Sequence, residues 1–172
     1  IIHMTEKGSS IDKSVIDYIN EQFDPAMNWK DAEYCVKKWN GPFALKGVMS
    51  VEDAKRAIDI GCTAIMISNH GGRQLDGTLS TVSALPAILD RVGGDTEVWV
   101  DGGIRSGQDI LKAIALGARG TLLGRAYLYG LGSNGQAGVT QTLKILKREL
   151  DMSMALCGKS SLSDVDTSIL YN

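Results

Sequence analysis

Ile65-Met66-Ile67-Ser68-Asn69-His70-Gly71-Gly72-Arg73-Gln74-Leu75-Asp76-Gly77 is the segment around which the whole chain is organised. Its three consecutive apolar residues predict the end of a buried parallel strand, because helices cover both faces of such a sheet. The polar, glycine-rich residues that follow predict a loop carrying one imidazole and one guanidinium three residues apart. Taken alone, His70 and Arg73 are also compatible with a structural histidine and a surface charge, so the interpretation depends on the rest of the chain.

Composition predicts a single globular domain. The chain has 172 residues, a formal net charge of −2 and no acidic or basic tail, so we expect no nucleic-acid partner. Its three cysteines are odd in number and widely spaced, which argues for reduced thiols and against a disulfide framework or a zinc site. No apolar run approaches the roughly 20 residues of a membrane span, and the start is too short and polar for a signal peptide. We therefore expect a cytoplasmic protein without a metal, with the inner face of the membrane as the alternative location.

Strand and helix patterns alternate regularly along the chain. Two helices, over about 15–23 and Trp29–Trp39, are predicted first. Strands are then predicted at 43–48, 63–68, 97–100 and 120–123, and helices after them at 51–60, 79–91, 108–116 and 137–156. Four strand-helix units joined by short connections predict an α/β protein with a parallel sheet.

An internal sequence repeat favours a barrel over an open sheet. Segments 50–61 and 106–117, which lie 56 residues apart, share Ser, Asp, Ala, Ile and Gly at matching places. A repeated βαβα pair is typical of half of a (β/α)8 barrel. A doubly wound sheet also alternates, but its Gly-x-Gly-x-x-Gly turn after a first strand is absent from the sequence. The predicted fold is therefore a (β/α)8 TIM barrel, of which this chain supplies half.

Unusual polar residues follow every predicted strand. They are Lys46, then Ser68, His70 and Arg73, then Asp101 and Arg105, then Gly124 and Arg125. The carboxyl ends of all barrel strands open onto one face, and that face holds the active site. Four agreeing junctions therefore predict one site.

The third and fourth junctions predict a phosphate site. Asp101-Gly102-Gly103 and Gly124 would expose backbone N–H groups, helix amino termini would add partial positive charge, and Arg105 and Arg125 would supply bidentate forks. The first of these motifs is also compatible with a simple tight turn. Gly124-Arg125 occupies the matching place one strand-helix unit later, which favours a phosphate site over a simple turn.

Three side chains suit an anionic substrate beside an organic cofactor. A cofactor whose phosphate occupies the third and fourth junctions would extend its ring towards Lys46 and His70. Lys46 interrupts an apolar strand, where a charge is costly unless it faces something negative. His70 suits a general base, since imidazole exchanges protons near neutral pH. Arg73 suits a carboxylate, because its guanidinium is a planar fork.

These motifs, in this order, resemble the FMN-dependent L-2-hydroxy acid oxidase and dehydrogenase family. The family includes glycolate oxidase, L-lactate dehydrogenase, mandelate dehydrogenase and the flavin domain of flavocytochrome b2. The resemblance runs from about Asp12 to Gly158, and segment 133–139 is most similar to bacterial L-lactate dehydrogenases. The matching motifs are Leu45-Lys46-Gly47, residues 68–76, Asp101-Gly102-Gly103-Ile104-Arg105 and Leu123-Gly124-Arg125.

The resemblance implies oxidation of an L-2-hydroxy acid, with L-lactate favoured, to the 2-oxo acid with reduction of bound FMN. It implies that His70 is the catalytic base and also contacts the substrate, that Arg73 binds the substrate carboxylate, and that Lys46 stabilises negative charge at the flavin N1/O2 edge. The other implied FMN contacts are Ser68, Asp101, Gly103, Arg105, Gly124 and Arg125. Electrons would then pass to a quinone, a cytochrome or oxygen. A glycolate-type oxidase that uses oxygen is the alternative.

The resemblance further implies that this chain is the C-terminal half of the barrel, strands five to eight. Residues 1–13 would be a mobile loop tail after strand four, and 14–172 the half barrel. Such a half exposes two sheet edges, together with inward-facing side chains that we expect to include Leu45, Ile67, Val100 and Leu122. We therefore expect it to pair with the N-terminal half or with a second copy, and the complete protein to be a homo-oligomer. By itself the chain would be inactive, a non-catalytic phosphate-binding half barrel.

Overall fold

Strands and helices alternate in the computed structural model, which describes residues 15–171. The mobile loop expected over 1–13 lies outside these described residues. The elements in chain order are α1 (Val15–Glu21), α2 (Trp29–Trp39), β1 (Ala44–Val48), α3 (Val51–Asp59), β2 (Ala64–Ile67), α4 (Thr81–Val92), β3 (Glu97–Val100), α5 (Gly107–Ala115), β4 (Gly120–Thr121) and α6 (Arg125–Leu156). Short 3-10 turns cover His70–Gly72, Leu162–Asp164 and Thr167–Ile169.

The four strands form one parallel sheet in the order β1-β2-β3-β4. Sequential neighbours therefore pair, as in a segment of a barrel wall, and β1 and β4 are the two edges, as the sequence predicts. Strand β4 is shorter than expected, since only Gly120 and Thr121 pair fully with β3, although the Leu122 N–H still donates to the Val100 carbonyl at 3.0 Å.

Polar caps and glycines fix the helix boundaries, and most of them follow the sequence prediction. Ser50 caps α3 by accepting the Asp53 N–H at 3.1 Å, and Asn28 forms a capping box at the start of α2. Gly61 and Gly117, which follow α3 and α5, have φ values of 96° and 104°. Only glycine adopts this left-handed region readily, so each ends its helix and starts the turn to the next strand.

The main core lies between the sheet and its helices, and it corrects the expected orientation of the strands. Ile67 and Val100 are fully buried against helix residues such as Leu85 and Ile88. Leu45 also packs against this cluster. The prediction that Leu45, Ile67 and Val100 point into the barrel is therefore wrong. Leu122 lies beyond the paired part of β4 and lines a pocket.

The opposite face of the sheet carries Lys46, Met66, Trp99 and Gly120, which lie side by side across the four strands. The Trp99 ring covers Gly120 so closely that a Cβ there would come within 2.4 Å of it. A flat aromatic side chain thus fills the space that Gly120 leaves. This is the face that a closed barrel would turn inward.

Lys46 faces that inner side of the sheet, and a bulge in β1 follows it. Lys46 pairs with Met66 and Val48 with Ile67, so Gly47 is an extra residue in the strand, with φ at 100°. The bulge restores Val48 to the helix side, where it is buried. Lys46 is therefore presented at the carboxyl end of the sheet without opening the core.

Helix α6 begins 12 residues earlier than the sequence predicts, at Arg125. Its path is broken at Asn134 and Gly135, which have non-helical backbone angles, so it consists of two legs. The legs touch at Gly130 and Gly138, where an added Cβ at Gly138 would meet the Gly130 carbonyl at 1.9 Å. Glycine at both positions is required for this close approach.

Candidate active site

A pocket of about 180 Å³ opens where the strands end. It brings together residues from the second, third and fourth strand junctions, as the sequence predicts. Those that the sequence singles out are His70, Arg73, Asp101, Gly103, Arg105, Gly124 and Arg125. A larger cavity of about 750 Å³ lies elsewhere, lined by Thr63, Arg119 and Leu162 among others, and holds none of these residues.

Lys46 and Ser68 do not line this pocket, but Lys46 connects both of them to Asp101, which does. The Lys46 ammonium lies 2.7 Å from Asp101 Oδ2 and donates to Ser68 Oγ at 2.7 Å. The Lys46 side chain is 44% exposed and that of Asp101 16% exposed, so this ion pair is partly withdrawn from water. Asp101 is thus the negative partner that a lysine in an apolar strand needs.

One oxygen of Asp101 has no partner among the described residues. Oδ1 is buried and accepts no hydrogen bond, whereas Oδ2 faces Lys46. A buried carboxylate oxygen without a donor is costly. Next to it, Gly102 and Gly103 have φ values of 88° and 91°. The space beside Gly103 is open, so a ligand can approach its backbone.

His70 sits in a left-handed turn. His70, Gly71 and Gly72 have φ values of 55°, 66° and 73°, and the histidine is strained there because it carries a Cβ. Ser68 Oγ accepts the His70 N–H at 3.1 Å, and Asn69 Oδ1 accepts the Gly71 N–H at 3.0 Å. The turn is therefore held by its own preceding side chains, and the exposed imidazole lines the pocket.

The amino terminus of α6 forms the open corner of the pocket. Gly124, the residue before the helix, has no side-chain cap, and the space around it is free. An uncapped helix start with free N–H groups favours an anion. Arg125 adds a guanidinium here, and its Nη2 donates to the Gly71 carbonyl at 3.4 Å. This corner therefore suits a phosphate.

The amino terminus of α5 has no free backbone N–H groups at residues 105–106 with which to bind an anion. Of the two helix amino termini in the predicted phosphate site, only that of α6 is therefore open. Asp109 Oδ2 accepts the backbone N–H groups of Arg105 and Ser106, both at 2.9 Å. Burial raises the pKa of Asp109, but these hydrogen bonds, together with those from the Ser106 side chain and the charge of Lys112, hold it below its ordinary value. The partial positive charge at this end is already neutralised by a carboxylate.

Part of the site wall consists of residues that the sequence does not single out. Thr81 Oγ1 donates to the Asp101 carbonyl, and together with Asn69 it packs against Gly102. Leu128 lines the pocket from a helical turn that the sequence does not predict. Asn69 lies inside the recognised motif, whereas Thr81 and Leu128 carry no local signal of their own.

The described part of the chain contains neither a candidate metal cluster nor a candidate membrane-spanning helix. Over residues 15–171, no group of three His, Cys, Asp or Glu side chains could hold a metal ion. In the same range, no helix has the length and apolar character to cross a membrane.

Comparisons with known proteins show which family this chain resembles. A family model described as FMN-dependent dehydrogenase matches residues 3–172. The chain is 49% identical over 153 residues to the L-lactate dehydrogenase of Caulobacter sp. (strain K31), which covers 89% of this chain and 40% of that protein. It is 46% identical over 160 residues to the L-lactate oxidase of Nostoc sp. (strain PCC 7120 / SAG 25.82 / UTEX 2576), which covers 93% of this chain and 44% of the relative.

The solved structure of the monotopic membrane protein (S)-mandelate dehydrogenase is similar in fold as well. The TM-score is 0.86 at 38% identity, over 91% of this chain and 42% of that one. The chain thus spans less than half the length of each of these relatives. Its four-stranded parallel sheet corresponds to part of a (β/α)8 barrel, as predicted.

Proposed function

Because the chain belongs to the FMN-dependent dehydrogenase family, we propose that the full-length protein oxidises an L-2-hydroxy acid, with L-lactate favoured, to the 2-oxo acid. One observation carries this proposal: a single pocket gathers His70 and Arg73 with Asp101, Arg105 and Arg125. A base, a carboxylate fork and a phosphate corner are the parts that such a reaction requires.

The residues present fit FMN. Its phosphate would lie at the uncapped start of α6, held by the Gly124 backbone and the guanidinium groups of Arg125 and Arg105. A ribityl hydroxyl would donate to the Asp101 carboxylate, and Gly103 would admit the chain of the cofactor. Ser68 and Lys46 would then contact the ring. When bound, FMN supplies the acceptor for the two electrons that leave the substrate.

The protein's own side chains have separate tasks in this proposal. Arg73 would bind the substrate carboxylate through two parallel hydrogen bonds. His70, held by its strained turn, would accept a proton from the substrate. Lys46 would keep positive charge beside the ring while Asp101 and Ser68 fix its ammonium. The same histidine serves whether the substrate loses a hydride or passes through a carbanion.

The identity of the electron acceptor distinguishes two versions of the proposed function. A quinone or a cytochrome would make the protein a dehydrogenase, and oxygen would make it a glycolate-type or lactate oxidase. The second version is supported by the 46% identity to an L-lactate oxidase, which nearly equals the identity to the L-lactate dehydrogenase. We also propose that this protein is cytoplasmic and binds the inner face of the membrane, a proposal supported by its similarity to a monotopic membrane protein.

The open edges of the sheet support a proposal about assembly. Within the described residues β1 and β4 each pair on one side only, and Met66 and Trp99 are only partly covered. We propose that four further strands close the barrel, supplied by the N-terminal half in the full-length polypeptide or by a second copy of this chain. Such a complete protein would form homo-oligomers. Without a complement, the chain would be a phosphate-binding half barrel that lacks turnover.

The test uses the purified full-length protein. We expect a flavin spectrum, and we expect anaerobic L-lactate to bleach it faster than glycolate. Slow reoxidation in air would support the dehydrogenase, whereas fast reoxidation would support the oxidase. A colourless protein, or a flavin that neither acid bleaches, would contradict the proposal.

A further inference from the structure

The second leg of α6 reaches back to the loop that carries Arg105. Glu149, on that leg, accepts the backbone N–H of Gly107 through Oε2 at 2.8 Å. Gly107 is the first residue of α5 and lies two positions after Arg105. A residue 42 positions away in the sequence thus holds the end of the loop from Asp101 to Ser106.

The backbones of α5 and α6 are in close contact at Gly107. A Cβ on Gly107 would lie 2.1 Å from the backbone nitrogen of Leu150 and 2.5 Å from the carbonyl carbon of Glu149. Gly107 is buried, so the backbones of α5 and α6 touch with no side chain between them. The position of this loop end is therefore set by α6, the helix whose amino terminus forms the open phosphate corner.

Asp109 completes the arrangement from within α5. It accepts the N–H groups of Arg105 and Ser106, while Ser106 Oγ accepts the Asp109 N–H at 3.1 Å. Three consecutive backbone donors, at residues 105–107, are consequently bound to two protein carboxylates. These carboxylates neutralise donors that would otherwise compete with the start of α6 for an anion.

We propose that Glu149 is a positioning residue for the cofactor phosphate: by binding the Gly107 N–H it holds the end of the loop in the place from which Arg105 reaches the phosphate of FMN. This inference rests on the proposed function. Glu149 itself does not touch the cofactor. Its effect is confined to the phosphate end, because the His70 turn and Lys46 are held by other contacts.

The test compares FMN with riboflavin, which lacks the phosphate, in the cofactor-stripped full-length protein. We expect Glu149→Ala to weaken FMN binding about tenfold, as for the loss of one charge-assisted hydrogen bond from Arg105 to the phosphate, and to leave riboflavin binding unchanged. Glu149→Gln keeps the length and one acceptor oxygen, so it should retain most of the preference for FMN. Glu149→Asp keeps the charge but withdraws the carboxylate by one methylene, so it should behave like alanine. Asp151→Ala, on the same helix, is the matched control for loss of one negative charge.

The outcomes of this comparison decide whether Glu149 positions the loop for the phosphate. If Glu149→Ala weakens FMN and riboflavin equally, Glu149 supports the fold in general and the inference is wrong. If the preference falls in the Gln variant and survives in the Asp variant, charge and not position is responsible, and the inference is again wrong. Should Glu149→Ala fail to fold, the Gln and Asp variants give the same decision. A wild-type protein that binds riboflavin as tightly as FMN would instead overturn the phosphate corner of the proposed function, and this inference with it.

Discussion

Lys46 Nζ lies 2.7 Å from Asp101 Oδ2, although the two residues come from β1 and from the end of β3, with β2 between them. This ion pair joins the first strand junction to the third across the inner face of the sheet. Ser68, at the end of β2, is the third member, since it accepts a hydrogen bond from the same ammonium. The proposed flavin-contacting and ribityl-contacting residues are therefore one connected group.

A double-mutant cycle on this pair should show coupling. In the full-length protein, Lys46→Met leaves the Asp101 carboxylate without its ion-pair partner, whereas adding Asp101→Asn removes the uncompensated charge. We expect a coupling free energy of about 1–2 kcal/mol, since the pair is only partly buried. Urea unfolding of the four proteins measures it. Strictly additive effects would show that the two groups do not interact in solution.

The phosphate corner should depend on Arg125 and not on Lys46. Arg125→Ala removes a charge-assisted fork beside the open start of α6, and such bonds are worth roughly 1.5–3 kcal/mol each. We expect inorganic phosphate to bind the cofactor-stripped full-length variant at least about tenfold more weakly. Lys46→Ala, the control with the same loss of charge, should change phosphate affinity little. Equal losses in a calorimetric titration would reject the proposed placement.

Arg73 should be needed for its shape as well as its charge. Arg73→Lys keeps the positive charge but replaces the planar fork by a point charge. We expect KM for L-lactate to rise sharply and kcat to fall, with FMN content unchanged, in steady-state kinetics of the full-length enzyme. Wild-type kinetics in this variant would mean that the substrate carboxylate binds elsewhere.

The Asp109 cap should give the stability a specific pH dependence. The pKa of Asp109 is lower in the folded than in the unfolded chain. Its charged form therefore stabilises the fold at pH values above the pKa of the unfolded chain, about 3.9. That contribution is lost as the pH falls through the folded pKa. Asp109→Asn should therefore cost about 1 kcal/mol at neutral pH, the usual value of a helix cap.

Urea unfolding at several pH values provides the measurement. The difference between wild type and Asp109→Asn should shrink as the pH is lowered below about 4, where the wild-type carboxyl becomes protonated. A difference that stays constant or grows on acidification would show that the carboxylate is not the stabilising form.

Sequence patterns predicted the order of the strands and the pocket residues because each strand ends in a short, strongly marked loop. Glycines after α3 and α5 and serine caps before them carry local conformational information, so those boundaries could be predicted. The direction of the strand side chains could not. Ile65-Met66-Ile67 is apolar on both faces, and the bulge at Gly47 shifts the alternation of β1 by one residue.

The first leg of α6 was missed for a different reason. Gly130, Gly132 and Gly135 lower helix propensity and resemble a loop. In the folded chain Gly130 lies in the helix and contacts Gly138 of the second leg, a contact that requires residues without side chains. The role of Glu149 was likewise invisible, since its partner is a backbone N–H 42 residues away. Contacts of this kind depend on the assembled fold.

The most direct test of the account is anaerobic single-turnover reduction of the FMN in full-length protein carrying His70→Gln. This change keeps a side chain of similar size in the strained turn but removes the base. We expect normal FMN content and a rate of flavin bleaching by L-lactate that falls by a factor on the order of 10²–10⁴. Flavin reduction at the wild-type rate would contradict it, because His70 could then not be the proton acceptor.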